Sequence, residues 1–105
     1  MLAKVRPIRS DAYRRYVASL PCISCGIESY SQCAHANGGG MGTKTSDLET
    51  FPLCCTRPGH IGCHMQFDLC MDMSKQQRRE LTEYYVAAMQ AKARADNRVE
   101  FRQAA

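Results

Sequence analysis

Tyr13, Tyr16, Val17 and Leu20 recur at i, i+3, i+4 and i+7. That spacing places them on one stripe of a helix and predicts one over residues 11–19. Ser10 stands at the N-cap position and Pro21 ends the element. "YSQCAHA", residues 30–36, predicts a short strand. "NGGGMGTKTSD" follows, and its clustered glycines cannot pack a core, so it predicts a loop of about a dozen residues. "LETFPLC", residues 48–54, alternates partly and predicts the returning strand, after which "CTRPGHIG" reads as a second loop. "CHMQFDLCM", residues 63–71, predicts a helix of two to three turns that buries Met65, Leu69 and Cys70. Ser74 with Gln77 forms a capping box that opens a long helix over residues 75–95. Its apolar stripe is Leu81, Tyr84, Tyr85 and Ala88. The polar tail from Asp96 onward is expected to fray.

Two strands set among helices predict one small α+β domain over residues 1–105, with its core at 22–70 and helices flanking it at about 11–19 and 75–95. There is no internal repeat and no linker. A chain of 105 residues buries a modest core, so a covalent or metal staple would help it.

The cysteines change the picture. There are seven, an odd number. "MLAKVRPIRSD" is charged and lacks the apolar segment of a secretory signal, and no run approaches the roughly 18 apolar residues of a membrane helix. The expectation is a soluble cytoplasmic protein, in which such cysteines bind metal more often than they form disulfides. Cys22 and Cys25 make a Cys-x-x-Cys turn closed by Gly26. Structural zinc takes four ligands, usually two from each of two segments. Cys54 and Cys63 are the expected second pair. The gap between them is wider than a usual knuckle, so Cys55 or His60 stays open as a replacement for one of them. A redox Cys-x-x-Cys would open a helix, and "CISCGIESYSQ" carries no helical stripe. Cys33 and Cys70 read as packing residues and His60 as a loop residue.

The net charge of +4 is a mild bias toward a polyanionic partner. Lys4, Arg6, Arg9, Arg14 and Arg15 cluster near the start, and Lys75, Arg78, Arg79, Lys92, Arg94, Arg98 and Arg102 lie in the last third. The plain alternative for both groups is solvated helix faces.

In "CHMQFD" a thiol and an imidazole are adjacent, and a carboxylate follows the imidazole by four residues. Adjacent helical residues point apart, whereas i and i+4 share a face. Cys63 is thus expected to face back to the zinc knuckle and anchor the helix. His64 and Asp68 would face the strand carrying His35 and hold a hard divalent ion, Mg²⁺ or Mn²⁺.

The ordered segments "CISC", "CAHANGGGMGTKTSDLETFPLC" and "CHMQFD" resemble the HNH endonucleases, whose core is the ββα-metal unit. The resemblance covers about residues 22–70 and is close to small phage and prophage members, some of which accompany recombination systems. It implies a phosphodiester hydrolase acting on DNA. His35 matches the general base, His64 and Asp68 the helix metal ligands, and Asp47 the residue that braces the loop and the base. Cys22, Cys25, Cys54 and Cys63 match the zinc cysteines of the members that carry them. Recombination or replication proteins and a second copy of the chain are the further partners it leaves open.

The chemistry fits these residue types. A neutral imidazole, with an ordinary pKa near 6.5, takes a proton from water at physiological pH. A divalent ion binds a non-bridging phosphate oxygen and the leaving 3′ oxygen. Lys44 is a candidate phosphate contact, and the glycine-rich loop would bring backbone amides close to a nucleic-acid backbone. One departure stands out. Many HNH proteins carry a third metal ligand just before the base, and here that position is Ala34. This gap favours the second reading, a non-catalytic zinc-ribbon module that binds nucleic acid or protein. A thiol redox protein is the third.

Overall fold

The computed structural model describes residues 10–36 and 46–96. Lys4, Arg6, Arg9, Lys44, Arg98, Arg102, most of the glycine-rich loop and the tail beyond Asp96 lie outside the described residues. The described chain is a small α+β unit in the order α1 (Asp11–Ala18), β1 (Ser31–His35), β2 (Thr50–Cys54), α2 (Cys63–Asp68) and α3 (Lys75–Ala95).

The two strands form an antiparallel pair in which Ser31 lies opposite Cys54, Ala34 opposite Phe51 and His35 opposite Thr50. Directly opposed residues share a face and successive residues alternate. Gln32, Ala34, Phe51 and Leu53 therefore line one face, and Cys33, His35, Thr50 and Pro52 line the other. The first face receives the second half of the chain. The Phe51 ring meets Phe67 of α2 edge-on at 5.4 Å and Tyr85 of α3 at 5.2 Å. α1 also packs against the strands, burying Tyr13, Tyr16 and Val17. Pro52 has no amide to donate, but its carbonyl accepts from Ile23 at 2.8 Å, which ties the Cys22–Cys25 turn to the outer edge of β2.

Both long-helix starts follow the sequence. The Ser10 hydroxyl accepts from the Tyr13 amide at 3.1 Å, and Ser74 and Gln77 close a reciprocal capping box. Two apolar faces differ from expectation. α2 buries Phe67, while Met65 and Leu69 are 45% and 65% exposed. The helix has only six residues, and the face that turns inward is set by Cys63 and Phe67, an i, i+4 pair. α3 buries Tyr85, Met89 and Ala93, with Leu81 packed beside them, so its stripe runs at i, i+4 and i+8. Tyr84 points to solvent at 68% exposure.

The loop between β2 and α2 doubles back tightly. Arg57 and His60 exchange backbone hydrogen bonds of 2.9 and 2.8 Å, with Gly59 at φ +80° completing the turn. At its end Gly62 lies against the start of the loop. A Cβ there would sit 2.3 Å from the Cys55 carbonyl carbon and 2.5 Å from the Cys54 oxygen. Only glycine permits this approach, and it brings the first residue of α2 beside Cys54. Among the described residues, no helix is long and apolar enough to cross a membrane.

Candidate functional site

The thiols of Cys22, Cys25, Cys54 and Cys63 all lie within 4.8 Å of one another. Cys25 Sγ and Cys54 Sγ are 3.9 Å apart. Sulfurs bound tetrahedrally at about 2.3 Å stand roughly 3.8 Å apart, so the four thiols are compatible with a structural zinc site. Each pair also directs a backbone donor at a sulfur. The Cys25 amide donates to Cys22 Sγ at 3.5 Å, and the Cys63 amide donates to Cys54 Sγ at 3.4 Å. The Gly26 amide bonds the Cys22 carbonyl at 2.8 Å, and Gly26 takes φ +84°, which closes the first turn. Cys55 and His60 stand outside this group.

The thiols are unequal before any ion is considered. Burial pushes Cys54 up, but the Cys63 amide, the Arg57 guanidinium and the neighbouring thiols outweigh it and bring Cys54 down to about 6. Burial pushes Cys63 up to about 12. Four thiolates gathered this closely together need a cation among them.

A second group forms where β1 ends. His35 Nε2 lies 3.0 Å from Asp47 Oδ1. Asp47 is 1% exposed, and its other oxygen accepts from the Ser10 amide at 2.7 Å and from the Arg14 guanidinium. Burial raises the Asp47 pKa, but the Ser10 amide, His35 and Arg14 outweigh it and hold the carboxyl below its ordinary range. Asp47 is therefore ionised at neutral pH and can only accept. His35 must donate from Nε2, which leaves the Nδ1 lone pair as the basic atom of the neutral ring.

A third group lies on α2. His64 Nε2 is 3.4 Å from Asp68 Oδ2 one turn on, and His64 Nδ1 is 2.9 Å from Gln32 Oε1 of β1. These three side chains line an open depression with Thr56 and Met65. Cys63 and His64 are adjacent yet serve different groups, because consecutive helical residues diverge.

The structure joins His35 to Asp47, and His64 to Asp68, without merging the pairs. Among the described residues, the four cysteines are the only group of three or more His, Cys, Asp or Glu ligand atoms gathered within 4.8 Å. His35 and Gln32 are three positions apart on β1 and project to opposite faces. An ion held by His64 and Asp68 would not also bind His35. Ala34 is fully buried beneath the helices and offers no ligand.

Sequence reasoning missed Gln32, the bond from the Ser10 amide to Asp47 and the fate of Arg14. Gln32 and His64 are 32 positions apart, and no local pattern links them. Arg14, read as part of a basic cluster, pairs with Asp47 and Asp11. Arg78 likewise turns inward. Its guanidinium lies 4.1 Å above the Phe67 ring, and Nε donates to the Phe67 carbonyl at 2.9 Å.

The fold and the thiol group define a small α+β protein with a four-cysteine candidate metal centre beside a β-hairpin. Residues 2–67 match the family described as "Protein of unknown function (DUF968)", and the chain belongs to that family. No curated protein and no solved structure matches it.

Proposed function

We propose that the chain is a metal-dependent endonuclease of the HNH type that hydrolyses phosphodiester bonds in DNA, in phage or prophage DNA processing or recombination. The observation that carries the reading is the His35–Asp47 hydrogen bond of 3.0 Å at the end of a β-hairpin whose following helix presents His64 and Asp68. Strand, strand and helix occur in the order that the resemblance requires, with His35 on β1, Asp47 just before β2, and His64 and Asp68 on α2.

Asp47 fixes the His35 ring, and the free Nδ1 takes the proton of the attacking water. A base of this kind acts on the water and need not ligate the ion, so the reading requires a phosphate held between the two groups, which lie on opposite faces of β1. His64 Nε2 and Asp68 Oδ2 would hold Mg²⁺ or Mn²⁺, which when bound stabilises charge on the phosphate and on the leaving oxygen. Zinc on the four cysteines would pin α2 through Cys63, so that His64 is presented to β1. DNA, recombination or replication proteins and a second copy of the chain are the partners that this reading admits.

The test is conversion of supercoiled plasmid by zinc-loaded protein with Mg²⁺ or Mn²⁺. Wild-type protein should nick or cut. His35→Ala should lose about 10²-fold or more of the rate, and His64→Ala should lose its response to the divalent ion. A His35→Ala protein as fast as wild type, or a zinc-loaded wild type inert with both ions, ends the proposal. The buried Ala34, which supplies no third ligand, favours one alternative, a zinc module that binds nucleic acid without cleaving it. It predicts salt-dependent retention of DNA with no hydrolysis.

A further inference from the structure

Gln32 stands on β1 on the face that meets α2, and its Oε1 lies 2.9 Å from His64 Nδ1. A carbonyl oxygen only accepts, so Nδ1 carries the proton. In the neutral ring Nε2 then holds the lone pair, and that atom is 3.4 Å from Asp68 Oδ2. Two acceptors facing each other at this distance repel unless positive charge lies between them. A proton on Nε2 supplies it in the imidazolium, and a cation supplies it when the ring is neutral.

We propose that Gln32 is a positioning residue that holds His64 as the Nδ1–H tautomer, so that Nε2 and the Asp68 carboxylate converge on one divalent cation. Ligand histidines commonly give their second ring N–H to an acceptor that fixes tautomer and orientation. Here the acceptor comes from the neighbouring strand, which also ties α2 to β1 on the side away from the cysteines. Without it, the ring can protonate Nε2 and donate to Asp68 directly, which closes the convergent pair. The inference rests on the nuclease reading for what the cation does. The tautomer stands on the three side chains alone.

Gln32 is exposed, so Gln32→Met keeps its length and removes the acceptor with little effect on packing. Gln32→Glu keeps an acceptor. The ring tautomer is read by long-range ¹H–¹⁵N correlation of labelled zinc-loaded protein, without added divalent ion, across a mildly alkaline pH series. Wild type and Gln32→Glu should show His64 as Nδ1–H, and Gln32→Met should shift it toward Nε2–H. Titration with Mn²⁺ should show affinity weakened about tenfold or more in Gln32→Met and retained in Gln32→Glu, with similar thermal midpoints for all three. Wild-type His64 found as Nε2–H overturns the proposal. So does Gln32→Met with an unchanged tautomer and wild-type Mn²⁺ affinity. A wild type that binds no Mn²⁺ overturns the cation half together with the metal step of the nuclease reading. Intact tautomer and Mn²⁺ results with no plasmid cleavage remove the nuclease reading alone.

Discussion

Asp47 holds the His35 ring at 3.0 Å while its other oxygen takes the Ser10 amide at 2.7 Å, so one buried carboxylate serves both the hairpin and the start of α1. The residue that orients the candidate base is also a structural joint. Variants at this position therefore test stability and chemistry together, and the two must be measured separately.

Asp47→Ala strands the Ser10 amide and the Arg14 guanidinium and should cost about 2–3 kcal/mol in urea denaturation at neutral pH. Asp47→Asn keeps the shape and removes the charge. The folded carboxyl lies below its ordinary value of 3.8. Its charged form therefore stabilises the fold above 3.8, and that contribution drains as the pH falls through the lower folded value. The stability gap between wild type and Asp47→Asn should be full at neutral pH and should close below 3.8. A gap that stays constant down to acid unfolding would show that the charge contributes nothing.

Metal content separates the cysteines. Purified protein should carry one zinc per chain, bound by four thiolates. Cys54→Ser should lower zinc content and thermal midpoint together, because α2 is pinned through this group. Cys55→Ser should leave both unchanged, since Cys55 lies outside the cluster. Elemental analysis with thermal melts decides it, and a fall in zinc for Cys55→Ser would reassign the ligands.

Gly62 and Gly59 make a controlled comparison. Gly62→Ala places a methyl 2.3 Å from backbone and should cost about 3 kcal/mol or more, with weakened zinc retention. Gly59→Ala meets open space, and its cost of roughly 1–2 kcal/mol comes from φ +80° alone. Equal losses would mean that the close approach at Gly62 is not what sets the loop.

The Tyr13 hydroxyl is buried with no hydrogen-bond partner among the described residues, and burial pushes its pKa up to about 12. Tyr13→Phe keeps the ring in the core and removes the unmatched polar atom. Its thermal midpoint should equal or exceed that of wild type, with a gain of up to about 1 kcal/mol. A clear loss of stability would reveal a partner for the hydroxyl.

Periodicity and local chemistry were legible along the chain. The Tyr13, Tyr16 and Val17 stripe, the Ser74–Gln77 capping box, the Cys22–Cys25 turn and the His64–Asp68 spacing each depend on residues within one or two turns. Such patterns fix which side chains share a face before any tertiary contact forms. The choice of Cys54 and Cys63 to complete the first pair rested on their places at the edges of two elements, and the cluster has those four residues. Cys63 returns to Cys54 because Gly62 lets the loop press on its own start, which spacing could not show while Cys55 or His60 stayed open as a replacement. The inward face of α2 was decided by Cys63 and Phe67 against Phe51, although Met65 and Leu69 look as apolar on paper. The partners of His35 and His64 were settled over 12 and 32 residues of chain. A hydrogen bond at that separation leaves no periodic trace, because the strand pairing and the packing of α2 create it.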